Sequence, residues 1–149
     1  RINTLSTEIT ELDDDLDALL TPLAPTLLGL LGVGLDVAGQ LLVTAGDNPD
    51  RIHNESAFAH LCGVAPIPAT SGKTVNRHRL NRGGDRAANA ALYRIAICRL
   101  RWAPDTRAYV ERRPKEGLSK KDIIRCLKRF IAREVLAAIR TDLNPRNPA

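Results

Sequence analysis

Ile2, Leu5, Ile9, Leu12, Leu16 and Leu19 recur at alternating steps of three and four residues, with acidic or polar residues between them. That spacing predicts a helix with one heptad seam. Fewer than three heptads make a marginal coiled coil alone, so residues 2–20 are expected to pack on the body or to pair with a second copy of the chain. The acid run Glu8, Glu11, Asp13, Asp14, Asp15 and Asp17 reads as the solvated face of this helix, not as a metal site. Thr21-Pro22 and Ala24-Pro25 are expected to break it, because proline removes a donor and restricts the residue before it. The pattern therefore divides a coiled-coil-like connector, 1–21, from a main domain, 22–144, and a tail, 145–149.

The next apolar run, Leu27 to Leu42, is interrupted by Gly29, Gly32, Gly34 and Gly39. It predicts two short helices joined by a glycine turn, a helix-hairpin-helix pattern over about 27–45. Gly32 and Gly34 allow positive φ and let backbone N–H groups approach a phosphate; the other reading is an ordinary corner between helices. Asn54 or Ser56 can cap a short helix that Gly63 ends. From Ala65 to Asp85 no helical period survives, and a loop of that length in a compact domain is usually functional or disordered. Residues 75–80 suit a short hairpin arm, and glycine with like-charged arginines is expected to resist compaction without an anion.

Helices resume over 86–140. Asp85 caps one running to about Trp102, with Ala88, Leu92, Ile95 and Trp102 near one face; Pro104 opens another over 105–113. Ser119 caps the last, whose predicted buried face is Ile123, Ile124, Leu127, Phe130, Ile131, Val135 and Ile139. Lys120, Lys121, Lys128, Arg129 and Arg133 fall away from that seam.

Composition supports an all-α fold: 44% of the 149 residues are apolar but only 3% aromatic, so the core must come from Leu, Ile, Val and Ala. Cys62, Cys98 and Cys126 lie far apart with no histidine spaced to complete a zinc site, which predicts a reduced, intracellular protein with no metal of its own. The start at Arg1, without methionine or signal-peptide order, reads as an excerpt of a longer protein. No apolar run reaches membrane-spanning length, and a cytoplasmic, nucleoid-associated location is expected. The net charge of +5 conceals a division: residues 1–50 carry −8 and residues 51–149 carry +13. The second part points to a polyanion partner, against the plainer reading of a basic soluble domain.

Ser71-Gly72-Lys73-Thr74 superficially suggests a phosphate-binding loop, yet Ile67 stands where that motif needs glycine. A serine-hydrolase elbow would need glycine at 69 and 73, where Ala69 and Lys73 stand. What remains is Ser71 in a glycine-containing loop, followed by Lys73, Arg77, Arg79, Arg82 and Arg86. Serine needs a base or metal to take its proton and cations to stabilise negative charge on phosphorus. The arginines meet the second need; His78 reads better as a phosphate or solvent contact than as the base. From the residues alone, Ser71 reads as a loop serine before it reads as a nucleophile.

The order of the GVG hairpin, Leu61-Cys62-Gly63-Val64-Ala65-Pro66, Ser71-Gly72-Lys73, and Arg82-Gly83-Gly84-Asp85-Arg86 opening an alanine-rich helix resembles the C-terminal domain of the insertion-sequence "one-ten" transposases. These are bridge-RNA-guided serine recombinases related to the Piv-type invertases. The likeness covers residues 27–113 and more loosely extends to 140. It implies that Ser71 attacks a DNA phosphodiester, that an N-terminal domain outside this chain binds Mg²⁺, and that Gly32, Gly34, Gly72, Lys73, Arg77, Arg79, Arg82 and Arg86 contact DNA or a guide RNA. A homo-oligomer, joined through residues 2–20, fits the same picture. The chain alone is then expected to be inactive. One departure is Asp85, where many members have asparagine; it preserves the cap but disfavours phosphate contact there. The competing expectation is a non-catalytic nucleic-acid-binding module.

Overall fold

The computed structural model describes residues 1–46, 49–69, 71–73, 78–79 and 81–144. Among them the regular structure is seven α-helices, two short 3-10 helices (Pro49–Arg51 and Arg113–Glu116) and one minimal hairpin, so the fold is all-α. Helix α1 spans Ile2–Leu23, α2 Pro25–Leu28, α3 Leu35–Ala45 and α4 Glu55–Leu61; α5 spans Arg86–Trp102, α6 Pro104–Arg112 and α7 Lys120–Asp142. Strands β1, Ile67–Pro68, and β2, His78–Arg79, pair antiparallel between α4 and α5.

The longest helix, α7, is the spine against which α2, α4 and α5 pack; α3 lies between α5 and α1. On α5 the buried face is Ala88, Ala91, Leu92, Ile95 and Ala96, and on α7 Ala132 and Ala138 are buried between larger residues. Small side chains at helical spacing let these axes approach closely, which is how an aromatic-poor chain fills its interior. Phe58 on α4 is the one fully buried aromatic among the described residues.

Polar groups fasten the layers. Asp142, at the end of α7, accepts from the N–H groups of Thr26 (3.0 Å) and Leu27 (2.9 Å), capping α2 from the opposite end of the chain. Arg99 on α5, with its side chain 11% exposed, donates to the Leu31 carbonyl at 2.9 Å and to Glu134 at 2.7 Å, tying the glycine turn to α7. Glu55 lies 2.9 Å from both Arg129 and Arg133, locking α4 onto α7. The Arg133 hydrogen bond is the chief reason its carboxyl sits below the usual glutamate range.

Four expectations need correcting. Helix α1 runs two residues past the expected break, because Pro22 falls in its last turn, and the connection to α2 is the single, fully buried Ala24, not an open linker. Of the seam of α1 only Leu16 packs on the body, beside Leu20, which lies off the seam; Ile2 (80% exposed), Leu5, Ile9, Leu12 and Leu19 (67%) face solvent. Phe130 is 46% exposed despite its place in the predicted α7 face, while Lys128 is buried at 8%. The arc of α7 covered by α5 and α4 is rotated toward Lys128, leaving Phe130 at its margin beside Tyr109. Trp102, last in α5, is 63% exposed because the chain turns away at Ala103; its ring carries Arg101 at 5.1 Å.

The tightest approach in the fold joins Gly84 to Gly63: a Cβ on Gly84 would lie 2.2 Å from the Gly63 nitrogen and 2.3 Å from its Cα. Gly84→Ala is therefore expected to lower stability by about 1–3 kcal/mol or more in urea unfolding, since backbone must separate. Gly72→Ala, where a Cβ meets nothing within 4 Å, should stay within about 0.5 kcal/mol of wild type.

Candidate functional site

Gly63 and Gly84 meet at the two ends, the root, of the segment that bears Ser71, whose first residues, Val64 and Ala65, are still buried in the core and donate to the Ala59 carbonyl. Gly63, with φ +67, supplies the left-handed turn that ends α4. The Asp85 N–H donates to the Leu61 carbonyl at 2.7 Å, and the Asn81 amide donates to the His60 carbonyl at 3.2 Å. Asn89, one turn into α5, donates to the carbonyls of Cys62 (3.1 Å) and Gly63 (3.0 Å) and accepts from the Lys128 ammonium at 2.8 Å. The last turn of α4 thus has its outward carbonyls occupied by residues at and beyond the far end of that segment.

Asp85 completes the root. One oxygen accepts from the Ala87 N–H (2.8 Å) and Ala88 N–H (3.2 Å), the expected N-cap of α5, and the other accepts from the Thr44 hydroxyl of α3 at 2.7 Å. The Thr44 hydrogen bond, followed by the two backbone N–H groups, outweighs partial burial and holds the carboxyl below the usual aspartate range. This acid is therefore a structural cap. Cys62, fully buried beside it, has its thiol pushed up to about 12, chiefly by burial and then by the Asp85 charge, which makes it an inert core residue.

Above the root the hairpin pairs Ile67 with Arg79 and Pro68 with His78. Ser71, Gly72 and Lys73 follow in an exposed turn. Three residues span at most about 11 Å, so Ser71 lies within that distance of Pro68. Arg79 on β2, Arg82 on the returning bend and Arg86 at the start of α5 are also exposed. Arg77 lies outside the described residues, as does most of the expected 75–80 arm. Among the described residues, Lys73, Arg79, Arg82 and Arg86 have no carboxylate within 4 Å, whereas Arg94, Arg99, Arg113, Arg125, Arg129 and Arg133 each have one.

The glycine turn stands apart from this arm. Gly32, with φ +89, has the place of a Cβ occupied by Ile95 and Cys98 of α5, 3.2–3.3 Å away. Its lack of a side chain is already required by turn geometry and by helix contact. Gly34 caps α3 and faces open space, with Asp36 in the first turn paired to Arg94. No group of three or more His, Cys, Asp or Glu among the described residues is placed to hold a metal, and no described helix is long and apolar enough to cross a membrane. Sequence reasoning missed Asn89 and Lys128; only the position of Asn89 one turn after a cap offered any signal.

Comparison with known proteins gives a consistent neighbourhood. Residues 24–111 match the model of the Transposase IS116/IS110/IS902 family. The chain is 33% identical over 111 residues, 71% of its length, to the insertion element IS110 uncharacterized 43.6 kDa protein of Streptomyces coelicolor. It is 28% identical over 94 residues, 63% of its length, to the insertion element IS900 uncharacterized 42 kDa protein of Mycobacterium paratuberculosis. These matches cover 26% and 24% of the two relatives, so the chain spans about a quarter of their length.

The cap at Asp85 makes a pH prediction. Because its folded pKa is depressed, its stabilisation is complete above the ordinary aspartate value of 3.8 and is lost as pH falls through the lower folded value. Asp85→Ala should cost about 1–2 kcal/mol at neutral pH in urea unfolding, and the gap to wild type should narrow as the pH is taken below 3.8.

Proposed function

Because the chain belongs to the IS116/IS110/IS902 transposase family, we propose that it is the part of a DNA transposase that grips DNA and supplies Ser71 as nucleophile for strand cleavage and transfer. The observation that carries this reading is the arm itself: an exposed serine on a segment with a clamped root, beside four exposed cations with no carboxylate partner among the described residues. A nucleophile that must meet a phosphodiester has to project from the body, and its position has to be fixed from below.

In this reading the Ser71 Oγ attacks phosphorus, a P–O(Ser) bond forms, and one P–O(DNA) bond breaks to release the strand end as its hydroxyl. The serine proton passes to a base, and an acid supplies the proton of the leaving oxygen. Lys73, Arg79, Arg82 and Arg86, with Arg77 outside the described residues, neutralise charge on the phosphorane and hold flanking phosphates. The described residues offer neither a metal-binding cluster nor a base in established contact with Ser71. Proton removal is therefore assigned to a part of the transposase outside this chain, and Mg²⁺, where used, to that part as well. The same cations, with Gly34 at the start of α3, suit a guide-RNA backbone, since phosphate contacts carry no sequence.

The exposed seam of α1 supports a homo-oligomer. Its first three turns present Ile2, Leu5, Ile9 and Leu12 to solvent as one apolar stripe. Replacing Ile9 and Leu12 together by Gln should convert a dimer to a monomer in light scattering without altering the helical circular dichroism. A wild-type chain that is already monomeric at high concentration would refute that interface.

For the central claim, the full-length protein with Mg²⁺, guide RNA and cognate DNA should yield a protein–DNA adduct that mass spectrometry maps to Ser71 and that Ser71→Ala abolishes. Unchanged recombination by Ser71→Ala would reduce the domain to a nucleic-acid-binding module.

A further inference from the structure

Behind the arm lies a cleft of about 600 Å³, walled by the residues following α4, by β2, by α6 and by α7. That is the size of a small-ligand site. Six Lys or Arg side chains line it against one carboxylate, Asp122, which is engaged by Ser119 and Arg125. Glu116 partners Arg112 and Arg113, and Glu55 partners Arg129. Two cations remain with no carboxylate within 4 Å among the described residues: Arg79 on the arm and Lys128 on α7.

Lys128 is the telling one. An ammonium has three protons to donate, and the hydrogen bond described for this one is to Asn89. At 8% exposure a cation without a counter-ion is costly. Burial, reinforced by the charge of Arg125, holds its pKa below the ordinary lysine value, and an anion in the cleft would reverse that. The aromatic wall completes the site: Tyr109 and Phe130 meet edge to face at 5.9 Å, with Phe130 half exposed.

A duplex keeps its bases stacked inside and offers phosphates on a convex surface, so it cannot lower a base into such a cleft. An unpaired strand can, and sites for such strands pair cationic walls with aromatic faces. We propose that the cleft seats one nucleotide of an unpaired nucleic-acid strand, its phosphate on Lys128 and Arg79 and its base against Phe130 and Tyr109, as the strand passes toward Ser71. The distance suits this, because Pro66 and Arg79 line the cleft and Ser71 lies within about 11 Å of Pro68. The inference rests on the nucleic-acid reading above and adds to it the strandedness of the ligand.

Fluorescence anisotropy of this chain with a short labelled oligothymidylate, and with a duplex of equal length, tests the proposal. Lys128→Met and Arg79→Gln are each expected to weaken single-strand binding about tenfold and duplex binding less than about threefold. Photo-crosslinking with 5-iodouracil in the strand should mark the peptides holding Tyr109 or Phe130. Arg79 is exposed on the hairpin, so its variant remains informative even where Lys128→Met fails to fold. Equal losses on both ligands, or single-strand binding unaffected by Arg79→Gln, would overturn the cleft assignment. A Ser71 adduct together with cleft-insensitive strand binding would sink the cleft and keep the serine; selective tenfold losses without an adduct would do the reverse.

Discussion

The contact of Gly84 on Gly63 is the constraint from which the rest of the molecule can be derived. Two stretches of backbone meet with no room for a Cβ on Gly84, and their meeting fixes both ends of the segment that bears Ser71. Closing a flexible loop costs entropy that grows slowly with its length, so the cost is borne chiefly by fixing the root and hardly by the size of the arm. The root is fixed redundantly: Asp85, Asn81 and Asn89 each bond a carbonyl in the last turn of α4 or just past it, and Asp85 adds the cap of α5 and the Thr44 hydroxyl. Those bonds join the end of α4 to the start of α5, and both helices pack on α7. The arm and the helical body therefore share one joint.

Charge is distributed by the same logic. The excess of +13 over residues 51–149 treats every cation alike, yet many are spent on the fold. Arg99 holds the glycine turn, Arg129 and Arg133 hold α4 to α7, and Arg140 bonds the carbonyls of Ile52 and His53. Buried or half-buried guanidinium groups of this kind act as multidentate braces, a use that suits a core short of aromatic bulk. Among the described residues Lys73, Arg79, Arg82, Arg86 and Lys128 stay without a carboxylate within 4 Å, as do Arg101, Arg107, Lys115, Lys120 and Lys121 on other parts of the helical surface.

Much of this was legible in the sequence because caps and periodicities are local. Asn54, Asp85 and Ser119 cap the helices that their residue types predict, and Gly63 ends α4 as expected. Legibility stopped where partners lie far apart along the chain. Lys128 reads as surface because lysine usually is; its burial follows from the rotation of α7 against α5 and α4, which no local pattern encodes. Phe130 fails for the same reason in the opposite sense. Gly32 could be read as a phosphate nest or as a corner, and contact with Ile95 and Cys98, over sixty residues away, explains its lack of a side chain without a ligand. Ser71 is singled out by motif order alone; the joint at the ends of its segment depends on Gly84, which the sequence offers only as one of two consecutive glycines.

A serine displayed on an arm is chemically incomplete, and the incompleteness has a physical rationale. A hydroxyl attacks phosphorus usefully only when a base or metal lowers the cost of losing its proton, and unneutralised cations beside it would make any competent site bind phosphates indiscriminately. Separating the parts resolves both difficulties. In the proposed reading the arm with its cations engages a backbone by salt-dependent contacts without cutting it, and cleavage waits until another part of the transposase brings the proton acceptor to the same phosphate. Such an arrangement requires the serine to be exposed enough to be reached from outside and anchored firmly enough to be found in one place. In that reading the exposed turn of Ser71 to Lys73 would answer the first demand, and the Gly63–Gly84 joint would contribute to the second.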